Sequence, residues 1–241
     1  NRLDNLASYF NEKERSRLSE IAKASKGGLP EMSLEEIRLS CRENDGYDSP
    51  ELNEKLYLHF RGFKKIENLD SYVSSKAIWL DSNGLERIEG LTALSNLRCL
   101  YLGKNLISRI EGLENLSMLT TLDLSNNRLT VIENLSCCPA LQIVNFSRNA
   151  FSSVESISHL VECLSIENID LTNNAITGDV VRDVFQLMPN LVALSLNGNP
   201  ATQLPSFRKL AITSIPKLAC LDRPVAELER IGAEALVLGG A

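Results

Sequence analysis

Asparagines at positions 83, 105, 127 and 149 stand 22 residues apart, and the same frame runs on to Asn174 and Asn199 at steps of 25 and back to Arg61 at a step of 22. Around them LRCLYLGKN (97–105), LTTLDLSNN (119–127) and LQIVNFSRN (141–149) share the pattern Leu-x-x-Leu-x-Leu-x-x-Asn, in a chain that holds 40 leucines and 21 asparagines. A unit this short cannot bury its apolar face alone. Units of the same shape must therefore stack and share one continuous core. About seven such units are expected.

Each slot has a physical reason. Leucines two apart point to the same side of an extended chain, so Leu100 and Leu102 face the core. The equivalent segments one repeat away pair with them as parallel strands at about 4.8 Å. The asparagine closes each strand where the chain turns and leaves backbone groups unpaired; a carboxamide, donor and acceptor at once, can satisfy both kinds. Asn83, Asn105, Asn127, Asn149, Asn174 and Asn199 thus form a structural ladder. Arg61 cannot do this while buried, which predicts an irregular first unit. The implied fold class is an α/β leucine-rich-repeat solenoid: right-handed, with a curved parallel sheet on the concave side and short helices or 3-10 turns on the convex side.

A second signature follows each asparagine: IENL (66–69), IEGL (88–91), IEGL (110–113), IENL (132–135) and VESI (154–157). Ile and Leu return the chain to the core, while Glu67, Glu89, Glu111, Glu133 and Glu155 stack outward. These glutamates suit the start of a short convex helical turn, whose dipole favours them; a recognition ladder is the other reading. In the sixth unit Gly178-Asp179 predicts a capped helix with Val180, Val181, Val184, Phe185 and Leu187 on its buried side, ended by Pro189. Both ends of a stack need closing. Ser33-Leu34-Glu35-Glu36 resembles a capping box, and Leu34, Ile37 and Leu39 suit a helix covering the first strand. Phe207, Leu210, Ile215, Leu218 and Leu221 suit the opposite lid, ending near Val225. The expected division is an N-terminal helical extension (1–31), an N-terminal cap (32–55), the repeats (56–203), a C-terminal cap (204–230) and the start of a tail (231–241).

Composition excludes several functions. The longest uncharged run, 186–207, holds three prolines, three asparagines and two serines, so no membrane span is expected. Asn1 is not followed by a basic and then an apolar region, and no secretory signal is expected. A net charge of −6, from 25 Lys and Arg against 31 Asp and Glu, opposes a broad grip on phosphate backbones or anionic lipid, so nucleic acid and membrane are not expected partners. The six cysteines, at 41, 99, 137, 138, 163 and 220, form no CxxC pair, and His59 and His159 are the only histidines; a reduced interior and no metal are expected. The sequons at Asn115, Asn134 and Asn145 are read as by-products of the repeat. Residues 41–52 place Cys41 and Leu52 where a calcium loop needs Asp and Glu, and no phosphate loop occurs. No cofactor and no small-molecule substrate are expected.

The IE(N/G)L class is shared with the leucine-rich regulator of protein phosphatase 1, a spliceosomal protein and an axonemal dynein light chain. The flanks MSLEEIRLSCREN (32–44), SPELNEKLYLHFRGFKKIENL (49–69) and LACLDRPVAELERIGAEALVLGG (218–240) more closely resemble the leucine-rich-repeat dynein axonemal assembly factors. The resemblance spans about residues 32–240, including the 179–189 insertion. It departs in carrying a single acidic residue, Asp222, before Arg223-Pro224-Val225 and in lacking an aromatic near Leu236. It implies a non-catalytic cytoplasmic factor, associated with the cilium, flagellum or basal body, that helps chaperones preassemble dynein arms. The implied partners are axonemal dynein chains or chaperones and co-chaperones. The alternative is a regulatory subunit docking on a protein phosphatase 1 catalytic subunit through the concave face.

The residue between the two inward leucines of each strand faces concave solvent: Tyr57, Trp79, Tyr101, Asp123, Asn145, Asp170 and Ser195. The first three are aromatic, a type that dominates interface energetics, and form a candidate partner site; a chance run, or cover by the N-terminal cap, is the other reading. His59, Asp81, Lys104 and Arg148 are expected as its polar rim. His59 and Asp81 lack an activated nucleophile beside them, so catalysis is not expected. Cys99 lies on the same side without an identifiable basic cluster, and Cys138 fills a core leucine slot where an inert thiol is expected.

Overall fold

The computed structural model describes residues 30–238, and the helix expected upstream lies almost wholly outside them. Every unit of the 22-residue frame supplies a strand of three residues: β1 (Lys55–Tyr57), β2 (Ala77–Trp79), β3 (Cys99–Tyr101), β4 (Thr121–Asp123), β5 (Ile143–Asn145), β6 (Asn168–Asp170) and β7 (Ala193–Ser195). Neighbours pair in parallel with a register equal to the repeat length, as in Leu100↔Leu122 and Val144↔Ile169. Only the middle residue of each strand is buried. It is followed two residues later by a second buried apolar side chain, giving rows such as Ile78, Leu100, Leu122 beside Leu80, Leu102, Leu124. An eighth parallel strand, β8 (Cys220–Leu221), and an antiparallel β9 (Arg223–Pro224) complete the sheet, two more strands than the repeat pattern predicts. They come from the capping segment, outside the leucine frame.

The asparagine ladder is a hydrogen-bond ladder between repeats. Asn105 Nδ2 donates to the carbonyls of Leu80 (3.0 Å) and Leu102 (2.9 Å), while its Oδ1 accepts from the Leu85 amide (3.1 Å). Asn127 does the same one repeat on, with Leu102 and Leu124 as acceptors and Ile107 as donor. Asn83, Asn149, Asn174 and Asn199 follow suit. The residue before each of them is left-handed, from Ser82 (φ 54°) to Asn173 (φ 56°), which is how a three-residue strand turns so sharply.

Arg61 makes the first unit irregular, as expected, although it is itself buried, with 4% of its surface exposed. Its side chain swings away from the asparagine slot into the N-terminal cap, where Nη1 and Nη2 meet Glu36 (3.1 Å) and Glu43 (2.7 Å). Those carboxylates sit on α1 (Leu34–Glu43), which Ser33 caps by accepting from the Glu36 amide at 3.2 Å. The face of α1 turned inward is Ile37, Ser40 and Cys41, with Met32 before it; Leu34 and Leu39 are exposed, contrary to the pattern-based choice.

The alternation of Asn and Gly in IE(N/G)L also has a geometric cause. Asn68, Gly90, Gly112 and Asn134 have φ of 62°, 69°, 70° and 58°, the region that only Gly, and next Asn, enters at low cost. At Gly112 a Cβ would lie 2.3 Å from the Ile88 carbonyl oxygen. Asn134, the same slot one repeat later, instead donates Nδ2 to the Ile110 carbonyl at 2.7 Å. Where VESI replaces the motif, the convex side becomes a 3-10 helix, Glu155–Glu162.

The sixth unit's helix is shorter than predicted. α2 (Val180–Asp183) is one turn, capped by Asp179, and gives way to a 3-10 turn, Phe185–Leu187; Leu187 is exposed, not buried. At the far end α3 (Phe207–Ser214) adds Phe207 and Ala211 to the core of the stack, and its Ile212 is buried as well. Ordered structure continues beyond Val225, where the cap was expected to end: α4 (Glu227–Leu238) follows and runs across the expected 230/231 division. Arg208 of α3 holds it, with Nε 2.6 Å from Glu229 Oε1 and Nη1 on the Leu221 carbonyl. Asp222, which follows Leu221 in register with Leu194, closes the end of β7: its Oδ1 accepts from the amides of Leu196 (2.7 Å) and Asn197 (2.9 Å), where in earlier repeats the first of these amides meets a backbone carbonyl of the next strand.

Candidate functional site

The last residues of successive strands form one column across the concave face: Tyr57, Trp79, Tyr101, Asp123, Asn145, Asp170 and Ser195. Each lies next to its neighbour in register, and all are partly exposed. The three rings stack. Tyr57 and Trp79 have centroids 4.6 Å apart at 12°, Trp79 and Tyr101 5.2 Å apart at 13°. Rings that share planes this closely present their edges, not their faces, to solvent.

The polar half of the column ends its own strands. Asp123 Oδ1 accepts from the Ser125 amide (2.8 Å), Asn145 Oδ1 from Ser147 (3.1 Å) and Asp170 Oδ1 from Thr172 (2.8 Å). Tyr101 cannot accept in this way, so the amide of Gly103 is met from the preceding repeat by Asp81 Oδ1 at 3.1 Å. An aromatic at 101 thus draws an acid to 81. Burial, then the negative charge of Asp123, push the Asp81 carboxyl up to about 6, against the pull of the Gly103 amide and Lys104.

The expected rim divides into two places. His59 and Asp81 occupy the next column on adjacent strands, with the Phe60 amide donating to the Asp81 carbonyl at 3.0 Å. Lys104 and Arg148 do not join them. They sit one residue further on, at the left-handed turns (φ 55° and 56°), where both are exposed. Spacing from the asparagine ladder would have shown the difference, since 59 and 81 precede a ladder position by two and 104 and 148 by one.

Sequence reasoning placed Cys99 on this side and missed the rest of the first column of the face, where Lys55, Ala77, Thr121 and Ile143 also open the strands. Ile143 is 43% exposed, an apolar side chain on the open surface. Two-residue alternation about the buried strand centre was the signal. It also missed the convex cross-links Arg87–Glu111 (2.8 Å) and Arg109–Glu133 (3.1 Å), which tie the outward glutamates to the preceding repeat. The carboxamides of Asn115, Asn134 and Asn145 all bond within the protein. Burial raises the Cys138 thiol far above its ordinary value, which keeps it protonated. No group of three or more His, Cys, Asp or Glu among the described residues is arranged to hold a metal, and no described helix is long and apolar enough to cross a membrane.

Residues 117–161 match the family model described as leucine-rich repeats, in two copies. Two solved structures, the internalins C2 and F of Listeria monocytogenes, superpose with TM-scores of 0.63 and 0.57. They cover 81% and 71% of this chain and 87% and 48% of their own, at 16% and 24% identity. The chain is a leucine-rich-repeat protein. Sequence comparison extends the likeness beyond the repeats. The leucine-rich repeat-containing protein ODA7 of Chlamydomonas reinhardtii is 52% identical over 87% of this chain, and dynein axonemal assembly factor 1 of Mus musculus and of Homo sapiens 60% and 59% identical over 88%. The resemblance to the dynein axonemal assembly factors read from the flanks therefore holds across most of this leucine-rich-repeat chain. The chain spans 49%, 34% and 29% of the length of those relatives, respectively.

Proposed function

We propose that this leucine-rich-repeat chain is a non-catalytic protein-binding platform for the cytoplasmic preassembly of axonemal dynein arms, and that it engages a dynein chain or a chaperone-type assembly factor through its concave face. The observation that carries the reading is the partly exposed stack of Tyr57, Trp79 and Tyr101, because exposed large aromatics in a contiguous row are the residue types that anchor protein interfaces. The name of the Mus musculus and Homo sapiens relatives, dynein axonemal assembly factor 1, supplies the process, axonemal dynein assembly. The open, shallow sheet face suits a macromolecular surface better than a small substrate, which is normally bound in a concave pocket.

The test is replacement in Chlamydomonas reinhardtii cells lacking ODA7. A version of that relative carrying residues 32–238 of this chain in place of its own should restore dynein arms, scored by electron microscopy of axonemes. The same chimera with Trp79→Ala should not, while with Glu111→Lys it should. Restoration by the Trp79→Ala chimera would remove the aromatic stack from the function, and capture of the unmutated chimera from these cells with protein phosphatase 1 in place of dynein or chaperone components would replace the function itself.

A further inference from the structure

The concave face is chemically lopsided. Its three columns carry three carboxylates, Asp81, Asp123 and Asp170, against one ammonium, Lys55, and none of these carboxylates has a Lys or Arg within 4 Å among the described residues. Several acids off this face are matched, Asp48 by Arg42, Glu54 by Lys76, Glu111 by Arg87, Glu133 by Arg109 and Glu229 by Arg208, and here the nearest cation to Asp81, Lys104, acts only at longer range. Acids left without a cation, beside a row of aromatic rings, are complementary to a cationic partner.

The stack fixes where a cation could go. Both faces of Trp79 are covered, by Tyr57 at 4.6 Å and Tyr101 at 5.2 Å, so its electron-rich surface is closed to a charge and only its edge is open. Tyr57 lies on the first strand, against the N-terminal cap, where Ser40 of α1 bonds its carbonyl. Tyr101 alone has a second ring face turned toward an acid, because its neighbour in register is Asp123. Aspartate is shorter than tyrosine by a ring. The column therefore steps down from Tyr101 to Asp123, giving a slot with a ring for its wall and a carboxylate for its floor. The floor is held in place: Asp123 Oδ1 accepts from the Ser125 amide at 2.8 Å and Oδ2 from Asn145 Nδ2 at 3.2 Å. The glycine at 103 brings the second acid close, since a Cβ there would lie 3.1 Å from Asp81 Oδ1 and 3.4 Å from Asp123 Oδ1.

We propose that this slot takes an arginine side chain from a basic segment of the partner protein, its guanidinium stacked on the outer face of Tyr101 and its N–H groups directed at Asp123. Arginine suits it better than lysine because a planar, delocalised cation continues the ring stack while its edge donors reach a carboxylate. A nucleic acid meets three negative charges here and is repelled. The neighbouring Asp81 adds to the negative potential, and the fixed carboxylates need no rearrangement when the cation arrives. The inference rests on the concave face being the partner surface.

The test uses the full chain and a blocked pentapeptide of Gly, Leu, Arg, Leu and Gly, with a second peptide in which citrulline, equally planar but neutral, replaces arginine. NMR titration should move the Tyr101 ring and Ser125 amide resonances with the arginine peptide, and the citrulline peptide should bind about tenfold more weakly. Asp123→Asn copies the arrangement that Asn145 already shows and should lose the same factor, as should Tyr101→Leu, with both variants checked for an unchanged fold by their amide spectra. Equal binding of the two peptides, shifts confined to the convex face, or no shift at up to about 20 mM peptide would overturn the proposal. If Trp79→Ala still abolishes dynein arm assembly while citrulline binds as well as arginine, the concave platform stands and the arginine slot falls. If the slot binds arginine but Trp79→Ala restores the arms, the reverse holds.

Discussion

A single carboxyl shows how the concave face trades stability for shape. Asp81 serves Gly103, whose amide would otherwise go unmet beside Tyr101, and it is pushed up to about 6 by burial and by the charge of Asp123, with the Lys104 ammonium pulling the other way. A carboxyl whose folded value is raised favours the folded state only while it is protonated. Its cost is absent below about pH 4, grows as the pH rises toward about 6 and is complete above that. A shift of this size corresponds to at most about 3 kcal/mol. Asp81→Asn keeps an acceptor for Gly103 and removes the charge, so the variant should be more stable than the parent near neutral pH and no more stable near pH 4, read from urea midpoints. An equal gain at both pH values would show that the charge is not the cause. The residue scale is also where the sequence concealed most. The need for left-handed backbone at 68, 90, 112 and 134 is visible as Asn or Gly, but no spacing rule reveals that Arg61 leaves its slot for Glu36 and Glu43. That requires knowing where the cap helix lies.

At the scale of elements, strands and register were legible because one residue, Leu, repeats at the period the sheet requires. A buried Leu, Ile or Val at each strand centre, with the leucines around it, leaves one frame in which all seven units agree. Leu122→Ala should cost about 2–5 kcal/mol, from lost transfer energy and the cavity left behind. Asn127→Ala should cost about 1–3 kcal/mol, since it strands the Ile107 amide and takes one of two asparagine donors from each of the Leu102 and Leu124 carbonyls. Unchanged thermal midpoints for both would refute the register. The ends were less legible, because caps follow no period. α2 dwindled to one turn, and β8, β9 and α4 extended the far cap beyond its expected limit. α4 is fastened by ion pairs from Arg208 and Arg223 to Glu229. The Arg208 guanidinium holds that carboxyl down at about 2. A lowered carboxyl stabilises above its unfolded value and loses that contribution as the pH falls toward its folded one. Hydrogen exchange in α4 should accelerate selectively between about pH 4 and 2, and at neutral pH in Arg208→Ala; exchange that rises equally in β4 would show global unfolding instead.

The whole molecule is a stack whose two faces differ in purpose. On the convex side Arg87 and Arg109 pair with Glu111 and Glu133 of the following repeat; on the concave side rings stack on one another and Asp81, Asp123 and Asp170 make no ion pair among the described residues. The ladder asparagines were legible from their spacing, and Tyr57, Trp79 and Tyr101 from alternation, whereas the parallel stacking of the rings and the step down to Asp123 depend on side-chain geometry that neither encodes. The central claim is that the aromatic stack serves binding more than folding. It is tested most directly by measuring Trp79→Ala twice on the same sample, for thermal midpoint and for affinity toward the dynein or chaperone component it engages. Losing two stacked contacts should cost about 1–2 kcal/mol, well below the 3–5 of a buried aromatic, and so lower the midpoint by only about 2–8 °C. Affinity should fall roughly thirtyfold or more, with Glu111→Lys changing neither. Unfolding of the Trp79→Ala protein, or binding as tight as the parent's, would contradict the account.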